Sequence, residues 1–145
     1  MSNLPAFKEN ALLTIGVELE LQLIDLQTHN LAMEAKDFLR RLSKTKHPGE
    51  IKPEITLAMI ELNTSIHEDY HSLLTELHCM KDVVAREAAL THVGVCGGGA
   101  HPFQKWQEQR IFPIKRFATV SRRFPPALER IQFQLLACQA QGAWR

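Results

Sequence analysis

Ile15, Val17, Leu19, Leu21 and Leu23 alternate with Gly16, Glu18, Glu20 and Gln22. Strict period two predicts a strand over residues 14–23, with one apolar face and one polar face. Residues 25–30 read as a polar turn. Within residues 33–44, Phe38, Leu39 and Leu42 fall at helical spacing and predict a short helix, after which Pro48 and Gly49 break the chain. Residues 51–64 read as extended, since Pro53 biases Lys52 towards the β region. From Ala58 onward, Ala58, Ile60 and Leu62 point one way and Met59, Glu61 and Asn63 the other. Ser65 followed by Glu68 matches a capping box. Tyr70, Leu73, Leu74, Leu77, Met80, Lys81, Val84 and Ala88 then form a stripe at 3.6 spacing, so a helix should run to about His92. The apolar run 93–96 reads as a short buried strand ended by Gly97, Gly98 and Gly99, and apolar material returns at 131–140.

The order strand, helix, strand, helix, strand would ordinarily suggest parallel βαβ units. Strands of that class are buried on both faces and almost wholly apolar. The first strand instead alternates cleanly and carries two carboxylates on its polar face, which suits an antiparallel sheet with one face lining a wet cavity.

Composition adds little beyond class. A chain of 145 residues with 45% hydrophobic and 23% charged residues has the length and apolar content of one ordinary soluble domain. The net charge of +1, without a basic patch interleaved with aromatics, sets nucleic acid aside as a partner. Cys79, Cys96 and Cys138 are widely spaced and odd in number, which fits neither a disulfide framework nor a C-x-x-C metal site. Residues 1–10 have no apolar core of a signal peptide, and no run of about 18 apolar residues occurs. A cytoplasmic chain with no membrane partner is the expectation.

The candidate chemistry lies in carboxylates. Glu18 and Glu20 are same-face neighbours about 6.5–7 Å apart along a strand, so their oxygens can converge on one hard cation or on two adjacent ones. Glu61 sits among Met59, Ile60 and Leu62, where a carboxylate is costly unless it meets water, a partner or a metal. With Glu54 it lies on a segment able to pair with the first strand. Four like charges brought together there need cations to be stable. A solvated strand face remains the alternative reading of each. The run Cys96-Gly97-Gly98-Gly99-Ala100-His101-Pro102-Phe103 lets the backbone take positive φ and approach another group closely, yet it is neither a P-loop nor a dinucleotide fingerprint. His67, His71 and His78 lie within about 40° on a helical wheel. They lack the H-E-x-x-H pattern, so a solvated helix flank is the reading, with metal binding as the alternative.

Three stretches together resemble the type 2 glutamate–cysteine ligases, or carboxylate–amine ligases: Thr14 to Leu23, Glu54 through Glu61 to Thr64, and Cys96 to Gln107. The resemblance covers roughly residues 10–124. It implies an α+β fold similar to glutamine synthetase, an antiparallel sheet curled into a funnel and backed by helices. It also implies ligation of a carboxylate to an amine with ATP and Mg²⁺. Glutamate takes a phosphoryl group to give an acyl phosphate, and cysteine or another amine then displaces phosphate. By the same resemblance Glu18, Glu20 and Glu61 would be metal ligands, and Glu54 a ligand or a nearby substrate contact. Gly98, Gly99 and His101 would line the substrate and nucleotide pocket. The partners implied are small molecules, with room for a homo-oligomer.

The chain departs from that family at two places. Ala100 stands where the glycine motif would carry threonine. After about Phe124 the family pattern fades, and neither the later histidine-containing strand nor the arginine-bearing strand follows. The expectation is an N-terminal portion of the catalytic domain, residues 1–124, followed by an unmatched tail, 125–145, from truncation or a frameshift. Such a form could be inactive. The competing functions are a non-catalytic interaction module using an exposed sheet edge or the long helix, and a small metal-binding protein using the histidine face.

Overall fold

The computed structural model describes residues 13–97, 101–102 and 108–123. The strand β1 spans Glu18–Asp25. It is followed by α1, Ala35–Leu42; β2, Glu50–Pro53; β3, Met59–Asn63; α2, Tyr70–Thr91; β4, Val93–Cys96; and α3, Lys115–Arg123. The four strands form one sheet in the order β2-β3-β1-β4, and every pairing is antiparallel. The architecture is α+β, and the parallel arrangement is ruled out as the alternation in β1 foretold.

Period two decides which side of the sheet is covered. Leu21 and Leu23 of β1 and Ile60 and Leu62 of β3 turn to one face and are buried. There they meet Ala35, Phe38 and Leu42 of α1 and Met80, Val83, Val84 and Ala88 of α2. Each aliphatic side chain taken fully out of water contributes about 1.5–3 kcal/mol, so this layer is the main source of stability. Glu18, Glu20 and Gln22 of β1, Glu61 and Asn63 of β3, and Glu50 and Lys52 of β2 share the opposite face.

Three expectations need correction. The extended stretch 51–64 is not one strand but a hairpin of β2 and β3, because residues 54–58 turn the chain back. Pro53 is tolerated since β2 lies at the sheet edge. The long helix is capped by Asp69, whose side chain accepts from the Ser72 N–H at 2.8 Å, and not by Ser65. Ser65 instead donates its N–H and hydroxyl to Glu76, at 3.1 and 3.0 Å. The expected stripe on α2 is also shifted: Tyr70 and Lys81 are exposed, whereas Glu76, Val83 and Glu87 are buried.

The two buried glutamates explain why polar residues can sit on that inner face. Glu87 pairs with Arg41 of α1, and Glu76 pairs with His67. Burial pushes the Glu76 carboxyl up, but hydrogen bonds from His67 and from the Ser65 N–H and hydroxyl outweigh it and leave the group below its usual value. The backbones of His67 and Ile15 exchange two hydrogen bonds, each 2.8 Å, which ties the approach to β1 to the approach to α2.

Candidate metal centre

The sheet register puts the carboxylates in rows. Glu20 of β1 lies directly across from Glu61 of β3, and Glu61 lies across from Lys52 of β2. The next row holds Glu18, Asn63 and Glu50. Glu54, one residue past β2, enters from the turn of the hairpin. That turn is held in place by the chain that precedes α3: Leu57 N–H donates to Arg110 C=O at 2.8 Å, and Phe112 N–H to Ile55 C=O at 2.9 Å. Ala35 N–H and Leu23 N–H donate to the carbonyls of Leu57 and Ala58, both at 2.8 Å, so α1 and β1 brace it from the other side.

Glu20, Glu54 and Glu61 each present a carboxylate oxygen, and these oxygens lie within 4.8 Å of one another. All three residues are half-buried. Burial pushes the Glu54 carboxyl up to about 7, against the Ile55 N–H that lowers it. The charge of Glu20 and a hydrogen bond and charge from Glu61 add to the rise. Glu54 therefore keeps its proton well above the usual carboxylate range when no cation balances the cluster. Beside them, the Lys52 ammonium contacts Glu50 at 2.6 Å with 45% of its side chain exposed. That hydrogen bond, and then the charges of Glu50, Glu61 and Glu18, hold it above the ordinary lysine value although desolvation works the other way.

Of the expected site residues, the structure brings Glu20, Glu54 and Glu61 together. Glu18 stands outside that group, exposed and one row along, opposite Asn63. His101 does not join them. Its Nε2 donates to the backbone carbonyl of His29 at 2.8 Å, in the turn that follows β1. Five residues of strand, about 17 Å, separate Glu20 from Asp25 at the start of that turn. Gly98 and Gly99 lie outside the described residues, as does the expected tail 125–145. His67 is committed to Ser72 and Glu76, and His71 and His78 are exposed, so the histidines do not gather as a ligand set among the described residues.

Sequence reasoning placed Asn63 on the face of Glu61 without giving it a role, and it missed Lys52. The place of Lys52 follows from alternation once the β2–β3 pairing is known, but nothing in the string alone announces the hairpin register. Asn63 Oδ1 is buried with no hydrogen-bond partner among the described residues. A donor set made only of oxygens, with surplus negative charge and an unused carbonyl oxygen two residues along the same face, fits a hard cation such as Mg²⁺.

Comparison with known proteins identifies the family of the chain. The model of glutamate–cysteine ligase family 2 matches residues 14–141. A protein of Nitrosospira multiformis named "Putative glutamate--cysteine ligase 2" is 50% identical over 124 residues, covering 86% of this chain and 33% of the relative. A protein of the Lens strain of Legionella pneumophila with the corresponding name is 45% identical over 121 residues, covering 83% of this chain and 32% of the relative. One from Herminiimonas arsenicoxydans is 43% identical over 118 residues, covering 81% and 32%. The chain thus spans about a third of the length of the curated relatives it matches. With most of its residues matched by one family model, and the acidic strands inside that match, the chain belongs to glutamate–cysteine ligase family 2.

Proposed function

We propose that this chain supplies the acidic, cation-binding part of an ATP-dependent carboxylate–amine ligase. The observation that carries the reading is the convergence of Glu20, Glu54 and Glu61 within a segment matched by the ligase family. Those three residues would hold Mg²⁺, with Glu18 beside them. When bound, the cation would neutralise phosphate oxygens as charge shifts during phosphoryl transfer.

The reaction proposed for the whole ligase has two steps. A carboxylate oxygen, the γ-carboxylate in the case of glutamate, attacks the γ-phosphorus of ATP and ADP leaves. The amine of cysteine, or of another amino compound, then attacks the acyl carbonyl carbon and phosphate leaves. In both steps the polar sheet face would orient oxyanions, and the apolar layer behind it would keep the strands rigid. The four antiparallel strands would form one wall of a glutamine-synthetase-like funnel, with Gly98, Gly99 and His101 on its rim. A cytoplasmic setting would supply nucleotide and amino acids.

The test is Mg·ATP binding by calorimetry on the full 145-residue chain, beside Glu20→Ala and Glu61→Ala. Binding by the parent chain that both substitutions remove is the expected result. Binding that survives in both variants would rule out this cluster as the cation site.

A further inference from the structure

The strand residues of the polar face are strongly unbalanced in charge. Glu18 and Glu20 from β1, Glu50 from β2 and Glu61 from β3 share it, and among the described strand residues there only Lys52 is positive. Lys52 stands directly across β2–β3 from Glu61, which itself faces Glu20. Its ammonium rests on Glu50 at 2.6 Å, on the same strand, and is still 45% exposed. It is therefore both next to the carboxylate cluster and open to a ligand arriving over that face.

We infer that Lys52 is a substrate-binding residue: it offsets the charge of the carboxylate cluster when no cation is present, and engages an oxyanion of the substrate once a cation has bound. The inference rests on the cation-site reading given above. Two consequences of opposite sign follow. Near the cation, the ammonium repels it through space and so weakens its binding. For an anion placed beside the cation, the same ammonium is a second source of attraction. A residue that served only to stabilise β2 would move both affinities in the same direction when replaced.

The phosphate of a nucleotide and the carboxylate of an amino acid share the chemistry Lys52 would recognise. The experiment separates them. Mn²⁺ binding to the full chain is followed by electron paramagnetic resonance, and ADP or glutamate binding is then measured by calorimetry at saturating Mn²⁺. Lys52→Met keeps the aliphatic stem and removes the charge, whereas Lys52→Arg keeps it. Lys52→Met should bind Mn²⁺ about three- to tenfold more tightly, the change expected for losing one charge at close range under solvent screening. It should bind ADP or glutamate several-fold more weakly, and Lys52→Arg should restore both. Weaker ADP binding assigns the phosphate, and weaker glutamate binding the carboxylate. Mn²⁺ binding with neither anion affected would overturn the inference alone. A parent chain that binds no Mn²⁺ would overturn the cation-site reading and this inference with it.

Discussion

At Glu54, burial and two neighbouring carboxylates hold the acid form to about pH 7 against a usual value of 4.5. The sign of the effect on stability follows from which state loses its proton first. Below 4.5 both the folded and unfolded chains carry it. As the pH rises from 4.5 to about 7 the unfolded chain ionises while the folded chain resists, so the folded state loses stability across that window and levels off above it. With a chelator present, the melting temperature should fall over this range, and Glu54→Gln should flatten the fall. An unchanged slope in Glu54→Gln would show that some other group governs it. Glu76 works in the opposite sense: its carboxyl lies below its usual value, so its contribution is present at neutral pH and is lost in acid. Residue type does not separate these two glutamates; their environments do. Glu61 was legible as a costly carboxylate among apolar neighbours. Glu76 was not, because its acceptor duties towards Ser65 and His67 span 11 and 9 residues.

Among the elements, β1 and α1 were legible from periodicity, since burial on one side of a strand or helix leaves its period in the string. The start of α2 was less so. Ser65 and Asp69 both suit a cap, and the choice went to Asp69 because Glu76 already engages Ser65. Gly49 marks the entry to β2 and depends on tertiary packing. Its φ is +62°, and a Cβ there would lie 2.6 Å from the Asn63 carbonyl oxygen and 2.8 Å from Met80 Sδ. Gly49→Ala should therefore destabilise the chain by at least about 1 kcal/mol, read from urea unfolding, through both the left-handed backbone and the displaced neighbours. Because Asn63 flanks the candidate site, the same variant should also weaken Mn²⁺ binding. A variant as stable as the parent would mean that β2 can shift freely against β3.

Across the whole molecule, the cluster couples parts that are distant in sequence. Glu20 comes from β1, Glu61 from β3 and Glu54 from a turn that is clamped by residues 110–112. A cation bound there would link all of them, and only in the folded state. Saturation with Mg²⁺ at about 100 times its dissociation constant should raise the unfolding free energy by about 2.7 kcal/mol. Glu61→Ala should gain nothing, as measured by denaturant unfolding with and without Mg²⁺. A parent chain whose stability ignores Mg²⁺ would count against cation binding at this site. The matched part of this chain covers about a third of the length of those relatives, so the complete ligase chemistry belongs to the whole ligase, while the cation and charge tests can be made on this chain alone.

By itself the sequence determined that there is a half-wet strand with carboxylates on its polar face, a short helix, a long helix and a second acidic segment. It also carried the motifs of the ligase family. These are properties of local period and residue type, and they survive being read one segment at a time. The tertiary structure decided that β1 lies between β3 and β4, that the second acidic segment folds back as a hairpin, and that Glu20, Glu54 and Glu61 converge while Glu18 and His101 stand apart. Register and chain reversal do this, because a shift of one residue in β3 would send Glu61 into the apolar layer and leave the cluster unformed.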